Sequence, residues 1–381
     1  MSFSAFDHRC MAEAITLARR GLFTTMPNPR VGCVLARNGE ILGRGWHERA
    51  GEAHAELRAI NDARGRAGNK AGDAVRGASA YVTLEPCSHQ GRTGPCTQAL
   101  VQAGVAEVIV AMKDPNPTVD GAGIAALEAA GIVCRSGLME AAARALNPGF
   151  LSRMERGRPW VRVKLAQSLD GRTALANGKS QWITGKAARH DVQRWRARAD
   201  AILTGIGTVL ADDPSLNLRL EGLDRQPLRV IADSRWRTPM DARILNLEGS
   251  VLVAGRDDMP LPETLHEVAE CLPLPAELHV VRQTGHGHVS LVALLEALAA
   301  REVNQVHVEA GATLCGALLR EQLVDELLLY QAPTLLGEAG RPSIVLGTLE
   351  NMQDRPLLTL LERVSVGEDL RMRFRPQYCE D

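Results

Sequence analysis

Short apolar runs of strand length alternate with helical stretches along almost the whole sequence, and that rhythm confines the chain to layered α/β architecture. An amphipathic helix is predicted over 7–20, with Met11, Ala14, Ile15 and Ala18 on one stripe and Pro27 and Pro29 barring continuation. Residues 31–36 and 41–46 read as a hairpin about the turn composition Arg37-Asn38-Gly39-Glu40. Helix 54–63, strand 78–84, helix 96–103, strand 107–112, helix 124–130, strand 132–134 and a closing helix 140–145 follow.

The rhythm is interrupted by Asn147, Pro148 and Gly149, and again by Arg156, Gly157, Arg158 and Pro159. At 381 residues two domains are expected, 1–148 and 149–381. In the second, strands are predicted at 160–166, 201–204, 228–232, 250–254, 277–281, 305–309 and 326–332, with helices at 186–199, 291–301 and 313–321. His286 and His288, either side of Gly287, read as a polar loop rather than a metal site.

Composition narrows the function classes. With 44 Lys plus Arg against 45 Asp plus Glu the net charge is −1, so no global field draws in a polyanion; a small-molecule substrate fits, and nucleic acid does not. The eight Cys are scattered rather than arranged as a disulfide framework, which implies reduced thiols and a cytoplasmic address. Asp7, His8, Arg9, Glu13 and Arg19 break the first 20 residues, and no run approaches the roughly 18 apolar residues of a membrane span, so neither signal peptide nor membrane partner is expected.

Three side chains carry a metal reading. His54-Ala55-Glu56 opens one predicted helix, Pro86-Cys87 ends a strand, and Cys96 opens another helix. One imidazole and two thiolates leave a fourth tetrahedral position on Zn²⁺ for water, whose pKa the metal lowers to about 7. Glu56 then serves as proton carrier between that water, a ring nitrogen and a departing amine, a contribution of roughly a hundred- to ten-thousandfold. Residues two apart diverge on a regular helix, so His54 and Glu56 converge only in an irregular first turn, which Gly51-Glu52-Ala53 makes feasible. Cys87 and Cys96 near helix starts would ionise readily.

This pattern resembles the zinc deaminase signature, with one departure: residues 88–95 separate the cysteines where many such enzymes have two. The long loop, with Met26-Pro27-Asn28-Pro29-Arg30-Val31-Gly32 and Lys113-Asp114-Pro115-Asn116-Pro117, is similar to the bifunctional riboflavin-biosynthesis deaminase–reductase family over nearly the whole chain. The resemblance implies a cytidine-deaminase-like three-layer domain that removes the 2-amino group of 2,5-diamino-6-(5-phosphoribosylamino)pyrimidin-4-one. It implies Asn28, His47, Arg92 and Asp114 as the lining of the pyrimidine and phosphate site.

In the second half, Trp160 to Gly171 is a strand running into a polar loop, and Thr204-Gly205-Ile206-Gly207-Thr208-Val209-Leu210 has two of the three glycines of a dinucleotide fingerprint, Leu210 replacing the third. A conventional Rossmann domain is therefore not expected. The continuation through Asp212, Asp213, Pro214, Asn217 and Arg219, with Glu309-Ala310-Gly311 later, resembles the reductase half of the same family, which implies a dihydrofolate-reductase-like α/β fold using NADPH. By that resemblance Ala166, Trp182, Thr208, Asp212, Ser234, Gly311, Ala312, Thr313, Leu314, Cys315, Gly316 and Ala317 contact the dinucleotide. Lys164, Ser180, Thr184, Lys186, Arg196, Leu216, Arg219 and Glu309 contact the sugar phosphate, although a solvated-face reading competes for Arg196 because Arg189, Arg194 and Arg198 crowd its helix. Hydride transfer to C1′ of the opened ribose is implied, with Asp212 and Lys164 handling protons, and a homodimer or larger assembly through the reductase domain.

Two other readings compete. A cytidine- or tRNA-type deaminase with an appended domain should carry a basic face, which the balanced charge does not supply. A zinc-stabilised regulatory module should have lost the acid, and Glu56 is present.

Overall fold

The computed structural model describes residues 2–88, 94–274, 276–277 and 287–378. The chain divides into two compact units, Met1–Gly157 and Arg158–Asp381.

Five strands make the first unit's sheet, in the order Glu40–Trp46, Gly32–Arg37, Ser79–Val82, Glu107–Val110, Val133–Ser136. The first two pairings are antiparallel and the last two parallel. Helix Ala5–Ala18 covers one face with Met11, Ile15 and Leu17. Helices Ala55–Ala67, Cys96–Ala103 and Ala122–Ala129 supply Ala59, Ile60, Leu100 and Leu127 to the core on the other, so the unit is the expected three-layer α/β sandwich. Glycines set the close approach: a Cβ at Gly45 would lie 2.2 Å from the Ala55 carbonyl, so the hairpin glycines let helix Ala55–Ala67 lie against strand Glu40–Trp46.

The punctuation at 147–149 is a helix start rather than a loop. Pro148 occupies the first turn of helix Pro148–Arg156, where its missing N–H has no intrahelical partner to lose, and Gly157 closes the helix at φ 68°. Phe150 and Leu151 are buried in the first unit's core, which carries that unit past residue 148.

The second unit is built on a nine-stranded sheet in the order Glu270–Leu274, Val251–Arg256, Leu228–Ala232, Ala201–Gly205, Gln305–Val308, Trp160–Ser168, Glu326–Ala332, Asp369–Gln377, Leu357–Val366. The first seven are parallel, and the last two add an antiparallel hairpin that the apolar rhythm did not reveal. Helices Leu291–Ala300 and Ala312–Arg320 close one core; helix Lys186–Arg196 brings Val192 and Trp195 onto Leu328 and Tyr330 in another. A short helix, Ile206–Asp212, follows strand Ala201–Gly205 at the incomplete glycine fingerprint. The strand predicted at 277–281 lies mostly outside the described residues, as does His286; within them Ala276–Glu277 pairs with His288–Val289. Among the described residues no helix is long and apolar enough to cross a membrane.

Candidate functional site

In the first unit the site is assembled where strands give way to helices. His54 is the N-cap of helix Ala55–Ala67, with extended backbone at φ −72° and ψ 166°. The helix therefore starts one residue after it, and the imidazole can turn toward the side that Glu56 faces. That is the irregular start the sequence required. Cys96 is the first residue of its own helix, and its N–H donates to Cys87 Sγ at 3.4 Å.

His54 Nδ1 lies 3.1 Å from Cys96 Sγ and 3.6 Å from Cys87 Sγ, and the three donor atoms all fall within 4.8 Å of one another. A tetrahedral ion with about 2.1 Å bonds to nitrogen and 2.3 Å to sulfur needs donor edges near 3.6 Å, so the donor set and its spacing fit zinc. Hydrogen bonding from Cys96 outweighs burial and lowers the Cys87 pKa, the direction a thiolate ligand requires. Glu56 is 3 % exposed, and its Oε2 has no hydrogen-bond partner. Burial, reinforced by the Cys87 thiolate, raises its pKa above the usual carboxylate value, as a proton carrier requires.

Asn28 and His47 join this cluster. The Asn28 amide nitrogen donates to His47 Nε2 at 3.2 Å, while His47 Nδ1 donates to the Ala53 carbonyl at 3.4 Å. Both bonds are satisfied by neutral imidazole, and burial lowers the His47 pKa in the same sense. The His47 ring stands edge-on to His54 with centroids 5.3 Å apart. Asp114 is buried on the loop after strand Glu107–Val110, its Oδ1 accepting from Asn116 N at 2.9 Å. Arg92 lies outside the described residues.

A second constellation forms in the other unit where Glu309, just past strand Gln305–Val308, lies beside Lys164 of the adjacent parallel strand Trp160–Ser168. Arg196 grips Glu309 with Nε at 2.5 Å and Nη2 at 3.1 Å, and its Nη1 donates to the Asn217 carbonyl. Arg196 is 8 % exposed, which removes the solvated-face reading. Lys164 Nζ stands 3.7 Å from the same carboxylate. Burial alone would raise the Glu309 pKa, but Arg196 and Lys164 together hold it well below the ordinary carboxylate value. Arg219 is lowered by burial and by the neighbouring Arg196 charge, and Leu216 is buried at φ 46°.

Gly311 is the N-cap of helix Ala312–Arg320 and has no side-chain cap; a Cβ there would lie 3.7 Å from Thr208 Oγ1. These uncapped N–H groups beside a hydroxyl suit a phosphate of a dinucleotide. Ala312 and Thr313 share that first turn with Leu314, whereas Cys315 is buried in the core and a Cβ at Gly316 would fall 1.8 Å from the Val345 carbonyl. Ala317 continues the same helix, and Ala166 is half-buried against the helix carrying Trp195. Trp182 is 68 % exposed beneath the Arg189 guanidinium, which also donates to the Thr184 carbonyl. Ser180 is half-buried and Lys186 exposed nearby in sequence, Asp212 is exposed at the end of its short helix, and Ser234 Oγ accepts from Val289 N at 3.1 Å.

Two buried groups beside these sites escaped the sequence reading. Glu85 accepts four backbone N–H groups, and His307 is wholly buried 3.6 Å from Glu309. Each interrupts an apolar strand segment, Val82-Thr83-Leu84-Glu85 and Val306-His307-Val308, which is the signal that could have found them.

Comparison with known proteins accords with this division. Residues 4–112 match the cytidine and deoxycytidylate deaminase zinc-binding region, and residues 159–372 match the RibD C-terminal domain. Riboflavin biosynthesis protein RibD of Escherichia coli is 47% identical over 378 residues, covering 96% of this chain and 98% of that protein. The Haemophilus influenzae protein of the same name is 42% identical, covering 99% of each. A solved RibD structure from Acinetobacter baumannii superposes with TM-score 0.87 at 43% identity, covering 98% of this chain and 99% of that one. A Thermotoga maritima diaminohydroxyphosphoribosylaminopyrimidine deaminase/5-amino-6-(5-phosphoribosylamino)uracil reductase superposes at 0.82 with 30% identity and the same coverage.

Proposed function

The chain belongs to the RibD family of riboflavin biosynthesis, and on that premise we propose how its residues divide the work of deaminase and reductase. The protein is a bifunctional enzyme that uses Zn²⁺ and NADPH.

For the deaminase, His54, Cys87 and Cys96 hold zinc, which when bound supplies the Lewis acidity that makes water nucleophilic at neutral pH. Glu56 takes one proton of the attacking water to the pyrimidine ring nitrogen and then the second to the departing 2-amino group, which leaves as ammonia while the water oxygen stays as the ring carbonyl. Its raised pKa and its unpartnered buried oxygen are the observations that carry this role. Asn28 orients the heterocycle edge, held by neutral His47; Asp114 and Arg92 complete the substrate contacts.

For the reductase, the first turn at Gly311, Ala312 and Thr313, with Thr208, takes dinucleotide phosphate, Ala166, Trp182, Ser234, Asp212, Leu314 and Ala317 frame the cofactor, and Cys315 and Gly316 pack behind that turn. NADPH supplies the hydride for C1′ of the opened ribose. Lys164 and Asp212 handle the proton, with Lys164 Nζ held 3.7 Å from the Glu309 carboxylate. Arg219, with Ser180, Thr184, Lys186 and Leu216, receives the sugar phosphate, and Arg196 acts through its grip on Glu309.

The exposed edge strand Leu357–Val366, with Leu357, Leu358, Leu360 and Leu361 each at least 40% exposed, supports self-association through this unit. Thiolate ligands require a reducing compartment, which supports a cytoplasmic address.

One paired assay tests the assignment. Native protein and Glu56→Ala should bind equal zinc while only native protein releases ammonia from the diaminopyrimidine, and native protein should then oxidise NADPH on the deaminated product. Undiminished ammonia release by Glu56→Ala overturns the proton-carrier role.

A further inference from the structure

Glu85 is 4 % exposed and two residues before Cys87. Its Oε2 accepts from Asp114 N at 3.2 Å and Gly121 N at 3.1 Å; its Oε1 accepts from Gly123 N at 2.9 Å and Ile124 N at 3.1 Å. Four backbone donors on one carboxylate exhaust its acceptor sites. The last three belong to the start of helix Ala122–Ala129, whose N-cap, Gly121, has no side chain to satisfy them. The fourth is the N–H of Asp114 itself.

The segment between these donors is braced from within. Asp114 Oδ1 accepts from Asn116 N, Asn116 Oδ1 from Thr118 N, and the Asn116 carbonyl from Val119 and Asp120 N. Gly123 allows the approach: a Cβ there would lie 2.0 Å from the Pro86 carbonyl and 3.1 Å from Glu85 Oε1. Both ends of the 114–124 segment are thus tied to the stretch after strand Ser79–Val82 that carries Cys87.

We propose that Glu85 is a positioning residue of the deaminase, fixing Asp114 in register with the metal-ligand cluster so that the substrate meets a preformed loop. The inference rests on reading Asp114 as a substrate contact. Gln at this position would present an NH₂ group to two of the four donors, so Glu85→Gln is disruptive although isosteric; Glu85→Asp keeps the charge and shortens the reach by one methylene.

The test uses the full-length zinc enzyme. For Glu85→Gln the expected result is a KM for the diaminopyrimidine raised roughly tenfold or more, as for a lost charge-assisted hydrogen bond, with kcat within about threefold. Zinc content and the reductase rate on deaminated product should be unchanged, and amide exchange at 114, 121, 123 and 124 faster. Glu85→Asp should recover part of the KM. An unchanged KM overturns the proposal, and so does zinc loss with a matching fall in kcat, which would make Glu85 a support for Cys87 instead. Asp114→Ala is measured alongside. If it leaves KM unchanged, the Asp114 reading has failed; if it raises KM while Glu85→Gln does not, the clamp alone has failed.

Discussion

Replacing Arg196 by Met removes the guanidinium from Glu309 while keeping most of the side chain's length. The pair is enclosed, with side chains 9% and 11% exposed and two contacts of 2.5 and 3.1 Å. Two unit charges about 4 Å apart attract by about 4 kcal/mol at an effective dielectric near 20. Removing one partner of a buried pair costs about 3–5 kcal/mol, because the remaining charge is stranded. Lys164, 3.7 Å away, still faces Glu309, so a loss near the lower end, about 3 kcal/mol, is expected. Urea unfolding followed by tryptophan fluorescence isolates the effect, since Trp160, Trp182, Trp195 and Trp236 all lie in the second unit and only Trp46 in the first. Adding Glu309→Gln to Arg196→Met should restore much of the loss by removing the stranded charge. The single variant should also move the Glu309 pKa upward, so that reductase activity falls toward acid pH where the native rate holds. A loss under about 1 kcal/mol would refute the reasoning, for that is how a solvent-screened surface pair behaves.

Burial pulls His307 from 6.5 down to about 3, so the unfolded chain takes up the proton first. Its contribution to stability is complete above about pH 6.5 and is lost as pH falls toward 3, at up to about 1.4 kcal/mol per pH unit. His307→Leu should flatten the second unit's loss of stability between about pH 6.5 and 5; an unaltered slope would contradict a buried neutral imidazole. Chelating zinc should lower the melting temperature of the first unit alone, by about 4 kcal/mol in stability if free metal stands a thousandfold above its Kd, and calorimetry resolving both transitions checks it. Leu360→Lys on the exposed edge strand should shift the protein toward monomer in light scattering, and an unchanged mass would remove that strand from the assembly.

The layered α/β class and the cluster of His54, Cys87 and Cys96 with Glu56 beside it were legible from the chain alone. Strand and helix periods are local, and His54, Glu56, Cys87 and Cys96 carry their chemistry in residue type and order. Even the need for an irregular turn at His54 followed from helix geometry, and the N-cap conformation met it. Pro148 misled because the same residue that blocks a helix interior is well suited to a helix start, and only Phe150 and Leu151 packing into the first core decides between them. The hairpin Leu357–Val366 and Asp369–Gln377 also went unseen, because its outer strand is exposed along most of its length and lacks a buried alternation.

Charged side chains depended most on tertiary structure. Arg196 reads as one of several arginines on a polar helix; it is buried on Glu309 because strand Gln305–Val308 comes to lie between strands Ala201–Gly205 and Trp160–Ser168, out of chain order. Glu85 likewise has no local partner to announce it, since its four donors lie about 30 to 40 residues further on. A charge's partner depends on which distant segments the sheet order brings beside it, and local periodicity carries no record of that order. The sequence by itself determined what chemistry the chain can do; the tertiary structure decided which charges are held, and by what.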